Sequence, residues 1–184
     1  MMRFARLTQA VIVTVMLTLL AFAPAAGQTP AQRGNSFSVL ISSTAGATSL
    51  LVGMTFRVNP TLDAVFAYST VPSFAASELD AGFRYHFPVR SPAGIDPYIG
   101  AGLAIAQIGG LGVTGVFLQT GAALTLAPQL RGYGGVSYVA AGGTTALVYD
   151  IGAEYLFSQQ VRGVVGVTGA SGSSSLYFGA TLNY

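Results

Sequence analysis

The stretch 174–184 alternates two kinds of side chain along its whole length. Leu176, Phe178, Ala180, Leu182 and Tyr184 fall at one parity, and Ser175, Tyr177, Gly179, Thr181 and Asn183 at the other. A period of two places these sets on opposite faces of a β-strand. The chain ends on this pattern, and an apolar strand left at an open sheet edge recruits other chains. A strand that pairs back onto the first strand of its own sheet has no such edge. The expected solution is a closed barrel.

The opposite end reads as a targeting segment. Arg3 and Arg6 precede an apolar run from Ala10 to Phe22, and Ala23-Pro24-Ala25-Ala26-Gly27 supplies small residues for cleavage. The run is shorter than the roughly 20 residues a spanning helix needs, so residues 1–27 are expected to be a cleaved secretory signal peptide. Residues 28–34 would form a short periplasmic leader and 35–184 a single β-domain.

Composition narrows the environment. The chain is 52% hydrophobic and only 8% charged, whereas a water-facing surface carries far more charge. Past the expected signal no uninterrupted apolar run is long enough for a helical span. In lipid, only helices and closed barrels satisfy their backbone hydrogen bonds, which leaves the barrel. Two of the eight basic residues lie in the signal segment, so six remain against six acidic ones. With no lysine and no basic cluster, nucleic-acid binding is excluded. The absence of cysteine removes disulfides and thiolate metal sites. No cofactor or metal is expected.

Alternating segments follow one another at 35–44, 48–58, 61–70, 78–87, 97–107, 114–126, 129–140, 146–157, 160–169 and 174–184. Each is close to the length of a tilted membrane strand. Turn residues separate them: Ala45-Gly46, Asn59-Pro60, Pro72-Ser73, Ser91 to Asp96, Gly109-Gly110, Ala127-Pro128, Gly142-Gly143, Ser158-Gln159 and Ser171-Gly172. Ten strands are expected, with eight as the alternative if short segments merge. An even count places both termini on one side.

One face of these strands is apolar. It collects residues such as Leu50, Met54, Phe56, Leu79, Phe83, Val116, Leu118, Ile151 and Val165, and is assigned to lipid. Aromatic residues gather near strand ends, with Phe56, Phe87, Phe157 and Tyr184 at one rim and Tyr68, Tyr138 and Tyr149 toward the other, as membrane interfaces favour. The other face takes Arg57, Asp63, Glu78, Asp80, Arg84, Arg131, Asp150, Glu154 and Arg162 together with many glycines. Glycine relieves crowding where strands bend around a narrow interior. A soluble exported β-protein is the alternative, and it would leave this glycine-, serine- and alanine-rich face as a poor water-facing surface.

Several stretches resemble the small outer-membrane β-barrel family of the OmpA/OmpX kind. Pro97-Tyr98-Ile99-Gly100-Ala101-Gly102-Leu103 is similar to the family's strand opening after a periplasmic turn, and Gly82-Phe83-Arg84-Tyr85-His86-Phe87 to the strand before it. Gly179, Leu182 and Tyr184 resemble the terminal signal read by the barrel-assembly machinery, with Tyr177 where a polar residue is usual. The family usually has eight strands. The resemblance implies a Gram-negative outer-membrane location, contact with outer-membrane lipids, and handling by periplasmic chaperones and the assembly machinery. It also places the turns at Asn59-Pro60, Phe87 to Asp96, Ala127-Pro128 and Ser158-Gln159 in the periplasm, leaving short outer loops with little room for a protein-binding surface. A monomer is expected.

Catalysis needs a base within reach of a nucleophile or a held water. His86 is the only histidine. Omptin-like proteases and lipid A deacylases use histidine near the outer rim, whereas His86 falls near the periplasmic one, so it is read as a rim aromatic and no enzyme is expected. Charges in a low-dielectric interior are costly unless paired. The expected arrangement is two clusters, Arg131–Glu154–Arg162 and Arg57–Asp63–Arg84, plugging the periplasmic half of the lumen. Glu78, Asp80 and Asp150 lie nearer the outer mouth. The expected role is structural within the envelope. A narrow, weakly cation-selective passage is the first alternative, and an outer-leaflet lipid-modifying or proteolytic enzyme the second.

Overall fold

The computed structural model describes residues 34–44, 47–88, 94–170 and 172–184. The expected signal peptide, nearly all of the leader, and the Ala45-Gly46 turn lie outside the described residues. Ten strands follow in chain order: β1 (Ser36–Thr44), β2 (Ala47–Asn59), β3 (Leu62–Val71), β4 (Ala76–His86), β5 (Ile95–Ile108), β6 (Leu111–Ala127), β7 (Leu130–Ala141), β8 (Thr144–Leu156), β9 (Val161–Ala170) and β10 (Ser173–Asn183). Each pairs antiparallel with its sequence neighbours, and β10 pairs with β1 from Ser36↔Asn183 to Ser43↔Leu176, closing the barrel. The count is ten, so the eight-strand alternative is excluded.

Turn chemistry sets the registers. Gly109-Gly110, with φ of 55° and 86°, and Gly142-Gly143, with φ of 57° and 78°, form two-residue hairpins. Left-handed backbone at both central positions matches the twist of the flanking strands, and only glycine adopts it without strain. Between β3 and β4 a short 3₁₀ turn (Pro72–Phe74) is closed by Ala75, which holds φ of 47° without being glycine. Register shifts interrupt the ladder at Arg57/Asn59 on β2 and Thr125/Ala127 on β6, both at the end where the chain starts and finishes. That end is called proximal below, and the other distal.

The two faces separate as the alternation requires. Outward positions carry exposed large apolar side chains, among them Met54, Phe83, Leu118, Ile151, Val165 and Phe178. The expected rim aromatics Phe56, Phe87, Phe157, Tyr184, Tyr68, Tyr138 and Tyr149 are all exposed as well. Inward positions are buried, and all six acidic residues of the chain, Asp63, Glu78, Asp80, Asp96, Asp150 and Glu154, are among them. A water-soluble barrel would show the reverse, with charge outside and apolar residues within.

Inward glycines have a steric reason. A Cβ on Gly121 would strike the Tyr98 ring, on Gly152 that of Tyr133, on Gly166 that of Tyr177, and on Gly102 that of Phe117. Each large inward aromatic thus lies flat over a glycine on a neighbouring strand, and the lumen fills without widening. Opposite walls meet there: Leu40 of β1 and Leu51 of β2 share one apolar cluster with Ala123 of β6, Tyr133 of β7, Val164 of β9 and Tyr177 of β10.

Candidate functional site in the barrel lumen

The proximal third of the lumen holds a continuous chain of ion pairs. Asp63 on β3, His86 on β4, Asp96 on β5, Arg131 on β7, Glu154 on β8 and Arg162 on β9 all point inward, each no more than 5% exposed. Asp63 Oδ2 lies 3.0 Å from His86 Nε2, and His86 Nδ1 lies 3.1 Å from Asp96 Oδ1. Arg131 Nη2 donates to Asp96 Oδ2 at 3.4 Å, while its Nη1 lies 3.8 Å from Glu154 Oε2. Arg162 Nη1 donates to the same Glu154 oxygen at 3.2 Å. The hairpin at Gly142-Gly143 brings Arg131 opposite Glu154, and the next turn pairs Arg162 with Leu156. Arg162 therefore reaches Glu154 diagonally.

Three sequence-based assignments change here. His86 is not a rim aromatic: it is 1% exposed, shares the inward face of β4 with Arg84, and sits between two carboxylates. Asp96 does not belong to a turn, because β5 begins at Ile95 and Asp96 pairs with Ala123 of β6. It links the histidine to the arginine side of the chain. Arg57 stands across from Asp63 in register, but the ladder shifts just beyond it and the residue is exposed. The buried partner of Asp63 is His86.

Above this chain, Arg84 lies over the Tyr98 ring, 4.6 Å from its centroid, and its Nη2 reaches Gln119 Oε1 at 3.5 Å. A guanidinium over an aromatic face is held by the ring quadrupole. Tyr177 donates to Asp150 Oδ1 at 2.6 Å, and its hydroxyl is 2.6 Å from that of Tyr133. With its single proton committed to Asp150, Tyr177 accepts from Tyr133.

The distal third is different. Glu78 and Asp80 point inward from β4 among Ser69, Ala67, Ala104 and Ala106, their neighbours on β3 and β5. Both Glu78 carboxylate oxygens, Asp80 Oδ1 and Ser69 Oγ lack hydrogen-bond partners. Among the described residues, no group of three or more His, Cys, Asp or Glu is arranged to hold a metal ion.

No model of a known protein family and no curated protein sequence matches the chain. Solved structures do. The KdgM porin in complex with disordered oligogalacturonate matches with a TM-score of 0.56 at 9% identity, over 81% of this chain and 99% of that one. A structure of the KdgM porin alone gives 0.54 with the same identity and coverage. A structure from the de novo design of transmembrane β-barrels gives 0.51 at 14% identity, over 82% of this chain and 96% of that one. At these identities the likeness is one of fold. The chain has the architecture of an outer-membrane β-barrel.

Proposed function

We propose that the protein is a structural component of the outer membrane whose lumen is closed to solute flow. The observation that carries this reading is the contact of opposite walls through Leu40, Leu51, Ala123, Tyr133, Val164 and Tyr177. Beneath it, the ion-pair chain from Asp63 to Arg162 spans β3 to β9. A passage would have to break both layers, and separating buried charge pairs leaves uncompensated ions in a low dielectric. On this reading residues 1–27 direct export, the proximal end faces the periplasm, and Gly179, Leu182 and Tyr184 are read during assembly. The barrel works as a monomer in contact with lipid, and His86 serves the ion-pair chain rather than catalysis.

Planar-bilayer recording of the refolded barrel tests this. The wild type should insert without conductance steps, and opening it should require loss of both layers, as in Tyr133→Ala with Tyr177→Ala combined with Glu154→Ala. A second reading, a narrow cation passage, is favoured by the surplus of carboxylates at Glu78, Asp80 and Asp150. It requires cation-selective steps in the wild type that fall on Asp80→Asn.

A further inference from the structure

We propose that Glu78 and Asp80, together with the Ser69 hydroxyl, bind one Ca2+ ion in the distal half of the lumen. The argument begins with charge. In the proximal chain three carboxylates, Asp63, Asp96 and Glu154, face Arg131, Arg162 and the ionisable His86. In the middle of the barrel Arg84 attracts Asp150, which also receives the Tyr177 hydroxyl. Glu78 and Asp80 remain, two residues apart on the same face of β4, close enough to interact with each other. Their cross-strand neighbours are Ala106 and Ser69 for Glu78, and Ala104 and Ala67 for Asp80. None of these four carries a positive charge. Two like charges in a low dielectric need a countercharge, and one divalent cation supplies it.

A second observation points the same way. Ser69 is 3% exposed, lies directly across from Glu78 in the β3–β4 register, and its hydroxyl oxygen has no hydrogen-bond partner. A buried hydroxyl left this way is destabilising unless something in the lumen occupies it. Together with both Glu78 oxygens and Asp80 Oδ1, it makes a set of hard oxygen donors turned inward without partners. This irregular set suits Ca2+, which accepts variable oxygen geometry. Mg2+ demands a near-octahedral shell and gives up its waters reluctantly. The site lies across the apolar waist from the proximal chain, so it does not depend on whether the lumen conducts.

The test uses the chain from residue 28 onward, refolded into detergent free of lipopolysaccharide, stripped with chelator and dialysed against radioactive Ca2+ in excess Mg2+. One ion bound per barrel is expected. Glu78→Gln and Asp80→Asn should each weaken binding about tenfold or more, and Ser69→Ala should weaken it less. No Ca2+ on the folded wild type at millimolar concentration overturns the proposal, because a proton shared between the two carboxyls would then suffice. Equal displacement by K+ at matched ionic strength overturns it as general screening. So does undiminished binding in the double carboxylate variant. Should the carboxylate variants fail to fold, the wild-type stoichiometry and Ser69→Ala still decide.

Discussion

Tyr177 on β10 reaches across β9 to Asp150 on β8, closing a 2.6 Å hydrogen bond over the bare backbone of Gly166. The bond exists because the intervening strand has no side chain at that point. Tyr177→Phe removes a donor to Asp150 Oδ1 and the acceptor for Tyr133. A loss of about 1–3 kcal/mol is expected, read as a lower urea midpoint of the detergent-folded barrel. An unchanged midpoint would contradict the assignment.

Glu154 holds two guanidiniums, those of Arg131 and Arg162. Glu154→Ala leaves both short of their shared carboxylate and should destabilise the barrel by about 3–5 kcal/mol. Glu154→Gln, which keeps volume and an acceptor oxygen, should lose less. The temperature at which the compact gel band disappears measures both, and equal losses would argue that packing rather than charge is responsible.

Ile151 stands near the middle of β8 and points outward, 63% exposed. Ile151→Arg would put a charge into the hydrocarbon layer, at a cost of about 2–4 kcal/mol near the bilayer midplane. Folding yield into lipid vesicles should fall sharply. In a soluble barrel the same change would be neutral, so the experiment also tests the orientation of the faces.

Ala75 carries the left-handed conformation that closes the turn between β3 and β4, with φ of 47°. Ala75→Gly relieves the steric penalty of that conformation while giving up some chain stiffness in the unfolded state. The net expectation is a gain of about 0.5–1 kcal/mol. A lower urea midpoint would show that the Ala75 methyl makes a contact worth more than the strain.

Strand positions were readable because alternation with period two survives in every segment, and glycine pairs with positive φ mark the hairpins at 109–110 and 142–143. Once a hairpin is placed, arithmetic brings Arg131 opposite Glu154. Other parts of the site resisted. Pro97 makes the preceding residues read as loop, yet β5 starts before it and carries Asp96 inward. His86 shares parity with Arg84, but its aromatic ring and its place near a turn drew it to the rim. Arg57 has inward parity, yet it is exposed near the end of β2, where the register shifts between Arg57 and Asn59. A slip of this kind depends on tertiary strand pairing that no local pattern records. The seating of Tyr98, Tyr133 and Tyr177 over glycines was equally hidden, since it joins residues on different strands.

The pairing of β1 with β10 has a kinetic consequence. Every other strand contact joins sequence neighbours through a short connection, but this seam joins Ser36 to Asn183. Loop-closure entropy makes contacts of such long sequence separation slow to form. Until the seam shuts, β1 and β10 each present a raw edge able to pair with another chain. The hazard in this molecule's life is therefore local, confined to the interval before its two outermost strands find each other, and slow closure of that seam lengthens the interval.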